Sequence, residues 1–332
     1  MSHSVVAPIA EAILGLLWKP RVLRLLSSRK PVVLIYHSIA PGPGEYFGAD
    51  VFERHICSLK SRFRLVSAQE HRRARHGTED IEVILTLDDG FLNNAQHAVP
   101  VLRHQQVPAV FFVSTRHCRS GRFLWFAYLR ALSRWFREKE LVLDDVTYDL
   151  SASARGRSLR KLREHLLSLR PHPQAMYDKI ERSLPSLQTF VPQPHLDDHY
   201  AGMTWDHIRD IARDPLFEIG VHTVDHPFLT ICDESEMERQ VRVNRDELER
   251  MAGKPIRSIA YPSGDYDTTV AARCADSGME VRYAVETRRG SGGVPLDDSC
   301  IPRIGVYRSS MNIVGFKVQW GNLLRRTPLK FG

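Results

Sequence analysis

The strongest constraint on the fold is an alternation of short apolar segments, typical of buried strands, with longer segments typical of helices. The candidate strands are residues 32–36, 83–87, 109–113, 217–221, 257–261, 283–285 and 301–304, and the candidate helices are 52–63, 94–105, 234–251 and 268–277. This alternation predicts βα units. The chain has 332 residues, of which 43% are hydrophobic, and is therefore long enough to bury a large core.

One long interruption breaks the alternation between residues 120 and 203, where no strand pattern follows 109–113 for about 80 residues. It begins with an aromatic run at 123–128 and contains a basic helical pattern over 155–170. We therefore expect a largely helical insertion, 120–203, that divides the main domain into 31–119 and 204–308. Two roles are open for it: a lid that recognises a large substrate, for example one that carries an anionic phosphate, and a helical layer with a solvated charged face.

The positive charge of the chain is concentrated at its ends. Residues 1–30 contain five Lys or Arg and one acidic residue, and residues 299–332 contain six Lys or Arg and no acidic residue. The apolar run at 9–18 is shorter than the roughly 20 residues of a spanning helix. We predict an amphipathic basic helical segment at 1–30, either lying on an anionic membrane surface or capping the barrel, and a basic segment at 309–332. The pattern lacks the interleaved aromatic residues of nucleic-acid binding, so no nucleic-acid partner is expected.

The cysteines and the amino end indicate the compartment. The five cysteines are odd in number, widely spaced and form no Cys-x-x-Cys pair, which argues against a disulfide framework or a structural zinc module. Basic residues follow the first apolar run and no cleavage site of small residues is evident, which argues against a signal peptide. These features predict a cytoplasmic protein, peripheral to the inner face of the membrane if the basic ends bind lipid.

Two polar segments follow candidate strands at the ends where α/β barrels carry their chemistry. Thr-Leu-Asp-Asp-Gly contains Asp88 and Asp89, and His-Thr-Val-Asp-His contains His222 and His226. Each alone has an ordinary explanation, a turn in the first case and a helical face in the second. Together they supply two imidazoles and one carboxylate for a catalytic metal, with a second carboxylate left to act as the base. The pair predicts a mononuclear metal hydrolase.

These segments resemble the motifs of the polysaccharide deacetylase family (NodB homology domain, carbohydrate esterase family 4-like). The first is similar to Thr-Phe-Asp-Asp-Gly and the second to His-Thr/Ser-x-x-His, while residues 260–266 are similar to the Tyr-Pro-Tyr-Gly segment. The resemblance spans about residues 31–118 and 203–306. It implies an α/β fold, a distorted (β/α) barrel, and metal-dependent removal of an acetyl group from an amino sugar.

The resemblance also implies roles for individual residues. Asp88 would be the general base, and Asp89, His222 and His226 would hold a divalent metal, with Zn²⁺ as the first choice. Metal-bound water would attack the acetyl carbonyl carbon and lose a proton to Asp88. The backbone N–H of Ser263 would stabilise the oxyanion.

The chain departs from the family pattern at two places. Ala260 stands where many members have an arginine that orients the base, and Arg303 is our candidate replacement, with an ordinary surface arginine as the alternative. The late Leu-x-Leu-x-His motif is absent, and His37 is our candidate for the general acid, by similarity to a branch resembling biofilm poly-N-acetylglucosamine deacetylases. The alternative for His37 is a packing residue. Asp225 is either a partner of the metal ligands or a loop carboxylate.

The sequence thus predicts a metal-dependent N-deacetylase acting on an acetamido sugar of a glycan or lipid-linked glycan. Three alternatives stay open. A deformylase of a lipid-linked amino sugar would use the same residues. A small-amide hydrolase would not need so large an insertion, and a glycan-binding relative without activity would not need a complete metal site.

Overall fold

The computed structural model of the protein describes residues 31–40, 47–73, 81–119, 122–169, 172–285, 300–306, 314, 315 and 318. The predicted segment 1–30 and most of 309–332 lie outside these residues. The strands are β1 (Val32–Tyr36), β2 (Arg64–Leu65), β3 (Glu82–Leu87), β4 (Ala109–Val113), β5 (Glu140–Leu143), β6 (Val146–Asp149), β7 (Phe217–Val221), β8 (Ser258–Ala260), β9 (Val281–Val285) and β10 (Cys300–Gly305).

The described α-helices are α1 (Ala49–Lys60), α2 (Ala68–Arg73), α3 (Val99–Gln105), α4 (Trp125–Trp135), α5 (Arg155–Ser168), α6 (Pro173–Ser183), α7 (Leu187–Phe190), α8 (Gln193–His199), α9 (Trp205–Arg213), α10 (Glu234–Ala252) and α11 (Thr268–Asp276). A π-helical turn, Asn94–Ala98, leads into α3, and short 3₁₀ turns occupy Leu229–Ile231 and Pro262–Gly264. In the part of the chain that the structure describes, no helix is both long and apolar enough to cross a bilayer.

Seven parallel strands close into a barrel in the order β1-β3-β4-β7-β8-β9-β10, because β1 pairs with both β3 and β10. The two-residue strand β2 pairs with the start of β3. The seven barrel strands lie at the seven predicted segments, and the predicted distorted (β/α) barrel is confirmed.

The strands are nearly continuous apolar runs because both of their faces are buried, as in other parallel sheets. All five residues of β1 and all five of β4 are buried. Alternate side chains enter two different cores. The interior cluster comes almost wholly from strands and includes Val33, Ile84, Val110, Phe112 and Tyr283. The outer cluster joins the remaining strand positions to helices such as α1 and α10.

The segment between β4 and α9 forms a second apolar core of its own, built from helices α4 to α8 and the antiparallel hairpin β5–β6. The insertion is largely helical, as predicted, but the prediction of no strand within it was wrong. Asp144 and Asp145 have φ of 48° and 60°, the left-handed conformation that a tight hairpin turn requires. Leu141 and Leu143 alternate with exposed residues and face the core of the insertion.

The insertion returns to the barrel beside the Asp-Asp-Gly turn. The N–H of Met203 donates to the carbonyl of Gly90 at 2.9 Å, and the N–H of Leu92 donates to the carbonyl of Ala201 at 2.9 Å. A Cβ atom at Gly202 would lie 1.8 Å from the carbonyl oxygen of His117, so this close approach requires glycine. The end of the insertion is therefore attached to the turn that carries Asp88 and Asp89.

Candidate active site

The carboxyl ends of the barrel strands surround a cavity of about 330 Å³. The cavity contains every site residue predicted from the sequence. Its lining includes His37, Asp88, Asp89, His222, His226, Ser263 and Arg303 from the barrel, and Trp125, Phe126, Arg130 and Arg163 from the insertion.

Asp88 is held by an arginine from the last barrel strand. Its Oδ1 and Oδ2 accept hydrogen bonds from Nη1 and Nη2 of Arg303 at 2.7 and 2.8 Å, and Nη1 also donates to Oγ1 of Thr86 at 3.0 Å. Arg303 is 1% exposed, which excludes the alternative of a surface arginine. Burial alone would raise the pKa of Asp88, but the Arg303 guanidinium, together with His222 and His37, holds the pKa below its usual value. The carboxylate is thereby kept ionised and oriented.

Asp89 faces two imidazoles across a short gap. Its φ of 77° and the φ of 79° at Gly90 turn the chain sharply after β3. Oδ1 of Asp89 then lies 3.3 Å from Nε2 of His222 and 3.3 Å from Nε2 of His226. Burial alone would raise the pKa of Asp89, yet the two imidazoles hold it well below its usual range. Asp89 is consequently a buried carboxylate in an arrangement that favours its charge.

The residues Asp89, His222 and His226 fit a divalent cation. One ligand atom from each lies within 4.8 Å of the others, and neither buried carboxylate oxygen of Asp89 has a well-aligned hydrogen-bond donor among the residues that the structure describes. Leaving buried carboxylate oxygens without a donor is costly, and a cation removes that cost. Two imidazoles and a carboxylate form a ligand set that leaves coordination positions open for water or substrate.

The loop after β7 orients the two histidines. Nδ1 of His222 lies 2.8 Å from the carbonyl oxygen of Ala260, so a proton on Nδ1 leaves Nε2 as the ligand atom. Thr223 and His226 both have positive φ, 68° and 52°, a conformation that costs free energy for residues other than glycine. Asn244 of α10 compensates by donating to the carbonyl oxygen of Thr223 at 2.6 Å.

The side chain of Asp225 does not belong to the candidate ligand set, although it lies between His222 and His226 in the sequence. Its carboxylate accepts a hydrogen bond from Nε2 of Gln240 at 2.7 Å and pairs with Arg116 and Arg239. Its carbonyl oxygen accepts a hydrogen bond from the hydroxyl of Tyr177, in α6, at 2.9 Å. Of the two sequence interpretations, the structure supports a loop carboxylate, which here fastens the histidine loop to α10 and to the insertion.

His37 and Ser263 both line the cavity. His37 follows β1 and is half-buried, and burial lowers the pKa of its imidazole while Asp89 and Asp88 oppose that shift. Ser263 is exposed within the 3₁₀ turn after β8 and has a φ of 56°. These positions bring both residues to the cavity that also contains Asp88 and the three candidate ligands.

The insertion supplies a wall of the cavity that contacts a candidate ligand directly. Nε1 of Trp125 donates to the carbonyl oxygen of His226 at 3.0 Å. The ring of Phe126 lies with its centroid 4.7 Å from that of the His226 imidazole. The sequence indicated an aromatic start to the insertion but did not identify Trp125 or Phe126 as site residues.

His117 was also missed. It is buried, its Nδ1 lies 3.3 Å from the carbonyl oxygen of Asp89, and its Nε2 lies 2.9 Å from the carbonyl oxygen of Tyr200. It thus joins the candidate ligand turn to the end of the insertion. The available signal was the polar run that follows β4 at the active end of the barrel. His117 also lines a second cavity, of about 700 Å³, which contains none of the predicted site residues.

Solved structures with the same fold are known. IcaB from Ammonifex degensii is 18% identical, with a TM-score of 0.56 over 88% of this chain and 98% of that chain. The deacetylase PplD of Streptococcus pyogenes is 15% identical, with a TM-score of 0.53 over 86% and 96% of the two chains. A de-N-acetylase from Aggregatibacter actinomycetemcomitans is 15% identical, with a TM-score of 0.52 over 86% and 98%. At these sequence identities, the similarity establishes a shared fold and nothing about function.

The family assignment comes from the sequence. A search of curated proteins found no match to the chain. The family model described as polysaccharide deacetylase matches residues 75–145 and 176–282, which together make up more than half of the chain. The matched stretches contain Asp88, Asp89, His222 and His226, in agreement with the resemblance of the two motifs. The chain therefore belongs to the polysaccharide deacetylase family, whose members are hydrolases that act on the amide bonds of acetylated sugars.

Proposed function

We propose that this protein is a metal-dependent N-deacetylase that removes the acetyl group from an acetamido sugar of a glycan or lipid-linked glycan. One observation carries the proposal. Asp89, a buried carboxylate with no well-aligned hydrogen-bond donor in the described part of the chain, lies 3.3 Å from two imidazoles, and the arginine-paired Asp88 lies beside it in the same cavity.

Asp89, His222 and His226 would hold the metal, and we propose Zn²⁺ because nitrogen and oxygen ligands in this number suit it. When bound, a divalent cation supplies Lewis acidity, which lowers the pKa of water and polarises the acetyl carbonyl. Proton release from His222 and His226 is required for binding, so metal affinity should fall in acid.

Asp88 would accept the proton of the attacking water. The two hydrogen bonds from Arg303 fix the plane of the carboxylate and keep it ionised, so that it is ready to act as a base. Oxygen bonds to the acetyl carbonyl carbon as the water loses its proton to Asp88.

His37 and Ser263 would complete the reaction. The backbone N–H of Ser263 would donate to the oxyanion that develops on the acetyl oxygen. His37 would donate a proton to the sugar nitrogen as the carbon–nitrogen bond breaks. The products are acetate and a free amino sugar.

We also propose that the protein works in the cytoplasm, peripheral to the inner face of the membrane. The five cysteines all lie in described parts of the chain and all are free thiols, which supports a reducing compartment. The basic segments at both ends of the chain would be attracted to anionic lipid, and no nucleic-acid partner is expected.

The test is acetate release from a panel of acetamido-sugar glycolipids and chito-oligosaccharides, with and without a chelator. We expect acetate from at least one substrate, loss of release after chelation and recovery on addition of Zn²⁺. Release of formate from N-formyl substrates, measured in parallel, would favour the deformylase alternative. Acetate release that is insensitive to chelation, or no acetate from any substrate, would contradict the proposal.

A further inference from the structure

We propose that the insertion selects a substrate in which the acetamido sugar is joined through a phosphate group to an apolar chain. The inference rests on the proposed function and specifies the substrate class of the same site. Two features of the insertion carry it: arginines in the active-site cavity, and an apolar groove that shares a wall with that cavity.

The arginines lie in the same cavity as the candidate metal ligands. Arg130 of α4 and Arg163 of α5 both line it, although neither belongs to the barrel. The Arg163 guanidinium lies 5.8 Å from the centroid of the Trp125 ring and 5.7 Å from that of Phe228. Arg163 makes no ion pair with a carboxylate of the described residues. Aromatic rings thus hold this guanidinium at the cavity while leaving its charge available to an anion.

The charge of the cavity favours an anionic ligand. Three arginines line it, against two aspartates, Asp88 and Asp89. Arg303 already balances Asp88, and Asp89 belongs to the candidate metal site, where a bound cation adds positive charge. The positive charge that the insertion contributes therefore matches a group outside the reaction itself. The planar guanidinium is suited to phosphate.

The groove lies on the other side of two aromatic residues. Its lining is predominantly apolar and includes Leu166 and Leu167 of α5, Met176 of α6 and Ile231. Trp125 and Phe228 line both the groove and the active-site cavity. Arg163 lies over these same two rings, at the boundary between the two spaces.

The arrangement of chemistry along this wall defines the substrate. The active-site cavity contains the carboxylates and the Arg163 guanidinium, and the apolar groove adjoins that cavity at the Trp125 and Phe228 rings beside Arg163. A sugar–phosphate–hydrocarbon arrangement presents matching groups. The groove is shallow, with a volume of about 20 Å³, so it can contact one face of an extended hydrocarbon chain but cannot enclose the chain. A neutral polysaccharide would use neither feature, and an acidic polysaccharide would use the arginines alone.

The experiment compares three probes with the Zn²⁺-loaded full chain. They are the methyl glycoside of N-acetylglucosamine, N-acetylglucosamine 1-phosphate, and the same phosphate esterified with a farnesyl chain. We expect kcat/KM for acetate release to rise about tenfold when the phosphate is added and about tenfold again when the chain is added. No added advantage from the farnesyl chain, or none from the phosphate, overturns the inference.

Two variants test whether Arg163 causes the increase in kcat/KM with the phosphate and whether the apolar groove causes the increase with the farnesyl chain. Arg163→Gln should lose the phosphate gain, about tenfold, and should lower the rate on the neutral glycoside by much less than that. Leu167→Gln should lose only the gain from the farnesyl chain. Arg160→Gln, at an exposed position of α5 that lines neither space, is the matched control and should leave all three rates unchanged.

The outcomes separate this inference from the proposed function. Absence of acetate from all three probes and from the panel of glycolipids and chito-oligosaccharides would overturn the proposed function, whereas acetate from chito-oligosaccharides alone would overturn only the inference. Acetate release with equal kcat/KM for the three probes would overturn only the inference. An equal loss on all three probes in Arg163→Gln would also overturn it, because that result indicates a general structural role for the arginine.

Discussion

The two sides of the active-site cavity are built differently. On the barrel side, Asp88, Asp89 and Arg303 are almost fully buried at strand ends, and Asp88 and Arg303 hold each other in place. On the insertion side, Arg163 is exposed and has aromatic rings for neighbours. The barrel side fixes the groups that we propose for the reaction, while the insertion side presents the groups that we propose for substrate selection. The proposed chemistry and the proposed selection thus belong to separate parts of one cavity.

The two sides are nevertheless coupled at the histidine loop. Trp125 donates a hydrogen bond to the carbonyl of His226, and Tyr177 donates one to the carbonyl of Asp225. The insertion therefore also supports the backbone of the candidate metal site. Comparing substitutions on the barrel side with substitutions on the insertion side would measure how much metal binding and activity depend on this support.

His222→Ala should have the largest effect. It removes one of three candidate ligands, so we expect loss of bound Zn²⁺ together with loss of turnover. Metal content after gel filtration and acetate release would be measured on the same sample. Retained stoichiometric metal would contradict the assignment of His222 as a ligand.

Asp88→Asn should separate metal binding from catalysis. The amide keeps the size of the side chain but cannot accept the proton, so turnover should fall by about 10²–10⁴-fold while Zn²⁺ stays bound. The comparison with His222→Ala, which loses both, is the control. Full activity in Asp88→Asn would remove the proposed base.

Arg303→Met should change the pH dependence. Without the guanidinium, burial raises the pKa of Asp88, so a smaller fraction of the carboxylate is ionised at a given pH. The acid limb of the kcat/KM profile should move to higher pH, with a loss of about ten- to a hundredfold at neutrality. Arg303→Lys, which keeps the charge but lacks the two-pronged donor, should shift the limb less. An unchanged limb in Arg303→Met would show that Arg303 does not control Asp88.

Trp125→Phe should have the smallest effect and tests the support given by the insertion. It keeps an aromatic ring but removes the N–H that donates to His226, so Zn²⁺ affinity should fall by at most about tenfold. Exposed Arg160→Gln serves as the control for changes in the insertion. If Trp125→Phe lost metal as completely as His222→Ala, the result would contradict the view that the insertion only supports a metal site built by the barrel.

The sequence predicted the barrel and its motifs because both signals are local. A strand buried on both faces reads as an apolar run, and Asp88, Asp89, His222 and His226 follow such runs directly. The sequence left two roles open for Arg303, an orienting partner of the base and a surface arginine. Its partner Asp88 lies 215 residues away, and the two meet because β1 pairs with both β10 and β3.

Other residues left no local signal of their role. His117 and Trp125 act on the carbonyl oxygens of Asp89 and His226, and a contact with a distant backbone requires no pattern in the sequence. The hairpin around Asp144 and Asp145 was missed because its strands have only four residues each, within a segment dominated by helical patterns.

The junction between Gly90, Gly202 and Met203 has a consequence for engineering. The insertion is not an appendage that can be trimmed to leave a minimal enzyme, because its last residues are hydrogen-bonded to the turn that carries Asp89. Excision of the helical segment would remove these hydrogen bonds and release the turn that carries Asp89, one of the three candidate metal ligands. A barrel without the insertion should therefore lose its metal affinity before it loses its fold. A smaller segment that replaces the insertion would have to keep the hydrogen bonds between Met203 and Gly90 and between Leu92 and Ala201.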